Sequence, residues 1–149
     1  MKTRFLFAFF SLALAAAPTP LCAQQLITEA EASLPASADA GMTLRGITRG
    51  PSVEQVSPAP DAKSVKSPVA LVIKFGARNN ATIDKDSVKL TYIKSQNVDL
   101  TPRVKAFVTD DGIDMKKAEV APGNHVLRVD VKDSQGRAST AMIKLSVEK

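Results

Sequence analysis

From Val69 to Phe75 every second residue is large and apolar, with Ala70, Val72 and Lys74 between. A two-residue period predicts a strand with one buried face. The same period returns at Val88, Leu90 and Tyr92 against Lys89, Thr91 and Ile93, and at Val104, Ala106 and Val108 against Arg103, Lys105 and Phe107. It is clearest near the C-terminus. There His125, Leu127, Val129 and Val131 oppose Val126, Arg128, Asp130 and Lys132, and Ala141, Ile143, Leu145 and Val147 oppose Met142, Lys144 and Ser146. The intervening Asp133-Ser134-Gln135-Gly136 reads as the turn of a hairpin. Ser52–Ser57 predicts a first short strand and Ile113–Val120 a weaker, kinked one. Pro58-Ala59-Pro60-Asp61, Asn79-Asn80, Asp110-Asp111-Gly112 and Pro122-Gly123 punctuate the runs as turns. No helical period is visible from 51 to 149.

Six or seven short strands separated by turns predict an all-β fold. One open sheet would leave an apolar face in water, so two packed sheets are expected. About 100 residues is the usual size of such a sandwich. Three segments resemble bacterial immunoglobulin-like domains: Ser57-Pro58-Ala59-Pro60-Asp61-Ala62, Ile83-Asp84-Lys85-Asp86-Ser87-Val88, and the stretch from Ala121-Pro122-Gly123 to Gly136-Arg137. The resemblance covers 51–149 and implies an immunoglobulin-like β-sandwich of about seven antiparallel strands. It implies a binding, adhesion or spacer role and carries no catalytic residues. The antibody-type Cys–Trp–Cys core is excluded, because the chain has no tryptophan and its single cysteine, Cys22, precedes this region.

The N-terminal part has a different texture. Met1-Lys2-Thr3-Arg4 is basic, Phe5 to Ala17 is apolar but too short to cross a bilayer, and Pro18 and Pro20 lead to Leu21-Cys22-Ala23. This pattern predicts a secretory signal peptide over 1–23, cut after Ala23. Pro20-Leu21 ahead of Cys22 argues against a lipoprotein signal. The predicted mature chain has no cysteine and no transmembrane segment, which fits a bacterial periplasmic or secreted protein. Residues 24–50 are rich in Ala, Ser, Gly and Thr, and their apolar residues keep no period. They predict a flexible linker, with one helical turn at Glu29-Ala30-Glu31-Ala32.

Losing Lys2 and Arg4 with the signal lowers the net charge from +5 to +3. A modest charge without a basic run, and only Phe75, Tyr92 and Phe107 as mature aromatics, argue against nucleic-acid and sugar platforms. His125 is the only histidine, and alternation turns it inward at a strand start, where it can cap the edge of the core or bond a backbone carbonyl. No Gly-x-Ser-x-Gly accompanies it, so no enzyme is expected. One histidine without cysteine cannot hold zinc, and Met42, Met115 and Met142 are scattered, so no cofactor is expected. Asp84 and Asp86, and Asp110, Asp111 and Asp114, form two acidic loops without EF-hand spacing. Asp in turns also bonds its own backbone.

If the strand around Lys89 and the final hairpin share a sheet, their outward residues form one face. Lys89, Ile93, Val126, Arg128, Met142 and Lys144 are its candidate interaction residues, together with Thr91 and Asp130. Ile93, Val126 and Met142 are expected to cluster as an apolar patch ringed by charge. The expected function is an exported, non-catalytic module that binds a protein partner in the bacterial envelope. The alternative is a periplasmic metal carrier resembling copper-resistance chaperones.

Overall fold

The computed structural model describes residues 23–38 and 49–148. The expected signal peptide, except its last residue Ala23, and part of the expected linker lie outside them. Among the described residues ten strands form two sheets: β1 Gln24–Ile27, β2 Ser52–Ser57, β3 Val65–Lys66, β4 Val69–Gly76, β5 Ile83–Tyr92, β6 Val98–Asp99, β7 Val108–Thr109, β8 Gly112–Val120, β9 Gly123–Asp133 and β10 Ala138–Glu148. Two one-turn helices are α1, Glu29–Ala32, and α2, Thr101–Val104.

The first sheet runs β1-β8-β4-β2, with β7 also on β8; the second runs β3-β10-β9-β5-β6. Without β1 and β3, this is the strand partition of an immunoglobulin-like sandwich: β2, β4, β8 and β7 against β10, β9, β5 and β6. Both sheets are mixed, because β1 pairs with β8 in parallel and β3 with β10 in parallel. The expected all-antiparallel arrangement is corrected in those two pairs.

Alternation places the core. Leu71 and Ile73 of β4, Leu127, Val129 and Val131 of β9, and Ile143 and Leu145 of β10 are all at most 2% exposed. The weak pattern in β8 has a local cause. Val69 pairs with Ala118 and Leu71 with Met115, so Lys116 and Lys117 together oppose one residue. This bulge exposes both lysines and restarts the inward row out of phase, at Ala118 and Val120. Gly112 starts β8 at φ 146°, where a Cβ would collide with the Ile73 carbonyl oxygen.

Two further expectations are corrected. The strand read across Arg103–Val108 is instead α2, a 3-10 turn over Lys105–Phe107, and only two residues of β7. Pro102 opens α2, and Leu100, Val104, Phe107 and Val108 follow a helical spacing that the two-residue reading masks. The linker read over 24–50 is not a linker at its start. Leu26 and Ile27 are 0% and 1% exposed, and Gln25 pairs with Glu119 of β8. Four residues with two adjacent apolar side chains are too few to display a period. The expected helical turn is α1, closed by a capping box in which Thr28 Oγ1 accepts from Glu31 N–H and Glu31 Oε2 accepts from Thr28 N–H.

Arg103 fastens this segment. Its Nη1 donates to the Leu26 carbonyl (2.7 Å) and to Glu31 Oε2 (2.8 Å), and its Nη2 to Glu31 Oε1 (2.7 Å). The paired guanidinium holds the Glu31 carboxyl down to about 2. In the bend that follows β5 of the second sheet, Lys94 Nζ donates to the Ala32 carbonyl and Ser95 N–H to the Pro35 carbonyl, both at 2.9 Å. Residues 24–35 therefore clip one end of the two sheets together.

Candidate interaction face

Register across β5, β9 and β10 builds the outer face of the second sheet in rows. Lys89 pairs with Asp130 and Asp130 with Thr140; Thr91 pairs with Arg128 and Arg128 with Met142; Val126 pairs with Lys144. Their strand neighbours Leu90, Leu127, Val129, Ile143 and Leu145 are buried, so these side chains take the opposite face. Lys89, Val126, Arg128, Met142 and Lys144 all stand where alternation puts them.

Ile93 does not. It is 4% exposed, and Tyr92 before it is 0% exposed. Two consecutive buried residues mean that the pleat ends at Tyr92, so the two-residue rule stops there. Ile93 N–H donates to the Val126 carbonyl (2.9 Å), while the next residues, Lys94 and Ser95, hold the N-terminal clip. The apolar patch of Ile93, Val126 and Met142 is therefore absent. Among the described residues the exposed large hydrophobic is Val56, 44% exposed, on β2 of the other sheet.

What the face offers is charge and hydrogen bonding. Asp130 accepts from Arg128 Nε (3.0 Å) and from Thr140 Oγ1 (2.6 Å), so its carboxylate is bound on both oxygens. No described carboxylate lies within 4.0 Å of the Nζ of Lys89, Lys132 or Lys144. Ser87, Lys89, Arg128, Asp130, Lys132 and Thr140 line a shallow depression of about 330 Å³. Thr140 and Ser87 are functional candidates that sequence reading missed. The outward phase of β10 contained Thr140, but only the register showed that it meets Asp130.

His125 is 2% exposed. Its Nε2 lies 2.7 Å from the Ala121 carbonyl oxygen, which can only accept, so Nε2 carries the proton. Nδ1 then accepts from the Tyr92 hydroxyl at 2.8 Å. Burial lowers the imidazole below its ordinary range and raises the Tyr92 phenol to about 12. Both ring nitrogens are occupied inside the protein, which makes this a structural pair.

In the acidic loops, Asp84 and Asp110 have partners within the protein. Asp84 Oδ1 accepts from Asp86 N–H, Ser87 Oγ donates to the Asp84 carbonyl, and Lys85 joins Asp110 at 3.1 Å. Among the described residues no three His, Cys, Asp or Glu side chains converge on a possible metal position, and no helix is long and apolar enough to cross a membrane. No protein family, curated protein or solved structure matches the chain.

Proposed function

We propose that this chain is an exported, non-catalytic binding module of the bacterial envelope, related to bacterial immunoglobulin-like domains. It engages a protein partner through the outer face of β5, β9 and β10. The observation that carries this reading is the contrast between two sets of ionisable groups. Inside and at the ends, His125, Glu31 and Asp133 are bound to Tyr92 and Ala121, to Arg103, and to Arg137. On the face, Lys89, Lys132 and Lys144 have no carboxylate within 4.0 Å among the described residues. Lys89 acts on Asp99 only at longer range, so the ammonium groups of this regular sheet face are available to another molecule. β1 starts at Gln24, directly after the signal-peptide cleavage expected at Ala23, which is consistent with processing on export.

The test is purification of the mature protein from its host's envelope after lysine crosslinking, followed by mass spectrometry. A dominant partner joined through Lys89 or Lys144 is the expected result. Crosslinks only through Lys63, Lys116 or Lys117, or no partner from correctly exported and folded protein, would overturn the assignment.

A further inference from the structure

Resting on that reading of the face, we propose that its partner presents an extended acidic segment, with carboxylates at every second residue, along a diagonal marked by Lys89, Arg128 and Lys144. Lys89 on β5 lies in the Asp130 row; Arg128 on β9 is one row further; Lys144 on β10, opposite Val126, is one row further again. The three cations thus step diagonally over three adjacent strands. Diagonal neighbours in a sheet are about 7–8 Å apart. Same-side residues of an extended chain repeat at about 6.8 Å. The two spacings differ by less than the reach of a lysine side chain, so consecutive acidic side chains can meet consecutive cations.

Charge supports the match. Lys89 and Lys144 have no carboxylate within 4.0 Å among the described residues, and Arg128 commits only Nε to Asp130, leaving both Nη groups for an incoming carboxylate. Asp130 is already bound by Arg128 and Thr140, which reduces its repulsion of an acidic ligand. The depression beside Arg128 gives one side chain of the segment a place to settle. Other anionic partners fit less well. Tyr92 and Phe75 are buried at 0% and 7% exposure and offer no ring for stacking bases or sugars. No exposed large apolar side chain stands on this face to enter a bilayer.

The experiment uses the full mature chain, residues 24–149, at low salt. The probes are a blocked decapeptide of alternating Glu and Ser, its Gln-for-Glu counterpart, a block isomer of five Glu followed by five Ser, and vesicles containing anionic lipid. Binding is followed by calorimetry and by amide chemical shifts. The alternating peptide should bind saturably, with shifts clustered around Lys89, Arg128 and Lys144, and more tightly than the block isomer. The Gln peptide should not bind. K89E and K144E should each weaken binding by at least about two- to fivefold, the range for losing one exposed ion pair. Raising the salt should abolish it. Retained amide dispersion in each variant separates loss of binding from loss of fold.

Equal binding by the block isomer, shifts spread equally to Lys63, Lys116 and Lys117, or binding to vesicles but not to the peptide would each overturn the inference. An envelope partner crosslinked through Lys89 or Lys144 by a protein that ignores the alternating peptide would overturn the acidic-segment inference and leave the binding face standing.

Discussion

Leu26→Ala separates a structural strand from a tether. Leu26 is 0% exposed in β1, and its carbonyl accepts from Arg103. Truncating a fully buried leucine costs about 2–5 kcal/mol, the spread reflecting how far the surroundings collapse into the space. β1 is short and pairs with β8 over only a few residues, so partial relaxation should place the loss towards the lower end. With roughly 4 °C per kcal/mol for a chain of this size, the melting temperature should fall by about 8–20 °C. The assay is thermal and urea denaturation of residues 24–149, with Val56→Ala as the control. Val56 is 44% exposed, and its truncation should change stability by no more than about 0.5 kcal/mol. If Leu26→Ala melts within 2 °C or so of the parent, below the cost of any buried leucine, β1 is not docked and the segment behaves as a linker.

Four other outcomes follow from the paired groups and the tight turns. Burial lowers His125 in the folded state, so across the interval below 6.5 the unfolded chain binds the extra proton. This stability is present above 6.5 and is lost as pH falls through the folded value; His125→Gln should flatten the dependence of urea midpoints between about pH 7 and 5. Glu31 works in the same direction at lower pH: its contribution is present above 4.5 and disappears as pH falls towards 2, and Glu31→Gln should remove that slope. Tyr92→Phe leaves the buried Nδ1 of His125 without its partner and should cost about 1–3 kcal/mol by urea titration; no change would refute the Tyr92–His125 hydrogen bond. Gly112→Ala should destabilise more than Gly136→Ala, because both have positive φ but only the first new Cβ meets backbone.

The legible parts of the fold were those where one period persisted. β4, β9 and β10 keep strict alternation, and their partner rows follow from it once the Asp133–Gly136 turn fixes the register. His125 was legible for the same reason: inward phase at a strand start predicted burial and a carbonyl partner, and Ala121 is that partner. Reading failed where the period changed inside a segment. The bulge at Lys116-Lys117 resets β8, and α2 replaces the strand expected from Val104, Ala106 and Val108. Those three fit a two-residue pattern only if Phe107 is ignored.

Ile93 and β1 show a second kind of limit. Neither burial follows from local sequence, because each depends on the other end of the chain. Lys94 and Ser95, directly after Ile93, bond to carbonyls of Ala32 and Pro35, while the clip that carries those carbonyls also inserts Leu26 and Ile27 beside β8. The residues directly after Ile93 therefore anchor the N-terminal segment where the pleat of β5 ends. An isolated reading of 83–93 gives an apolar, sticky face; an isolated reading of 24–35 gives a tether. Joined, they give a face whose apolar end is closed and whose remaining chemistry is charged and polar, with Lys89, Arg128 and Lys144 as its cations. This is why the proposed partner is acidic rather than apolar, and why loosening the clip by Arg103→Ala should both lower stability and uncover Ile93, adding non-specific apolar binding measurable with a hydrophobic dye.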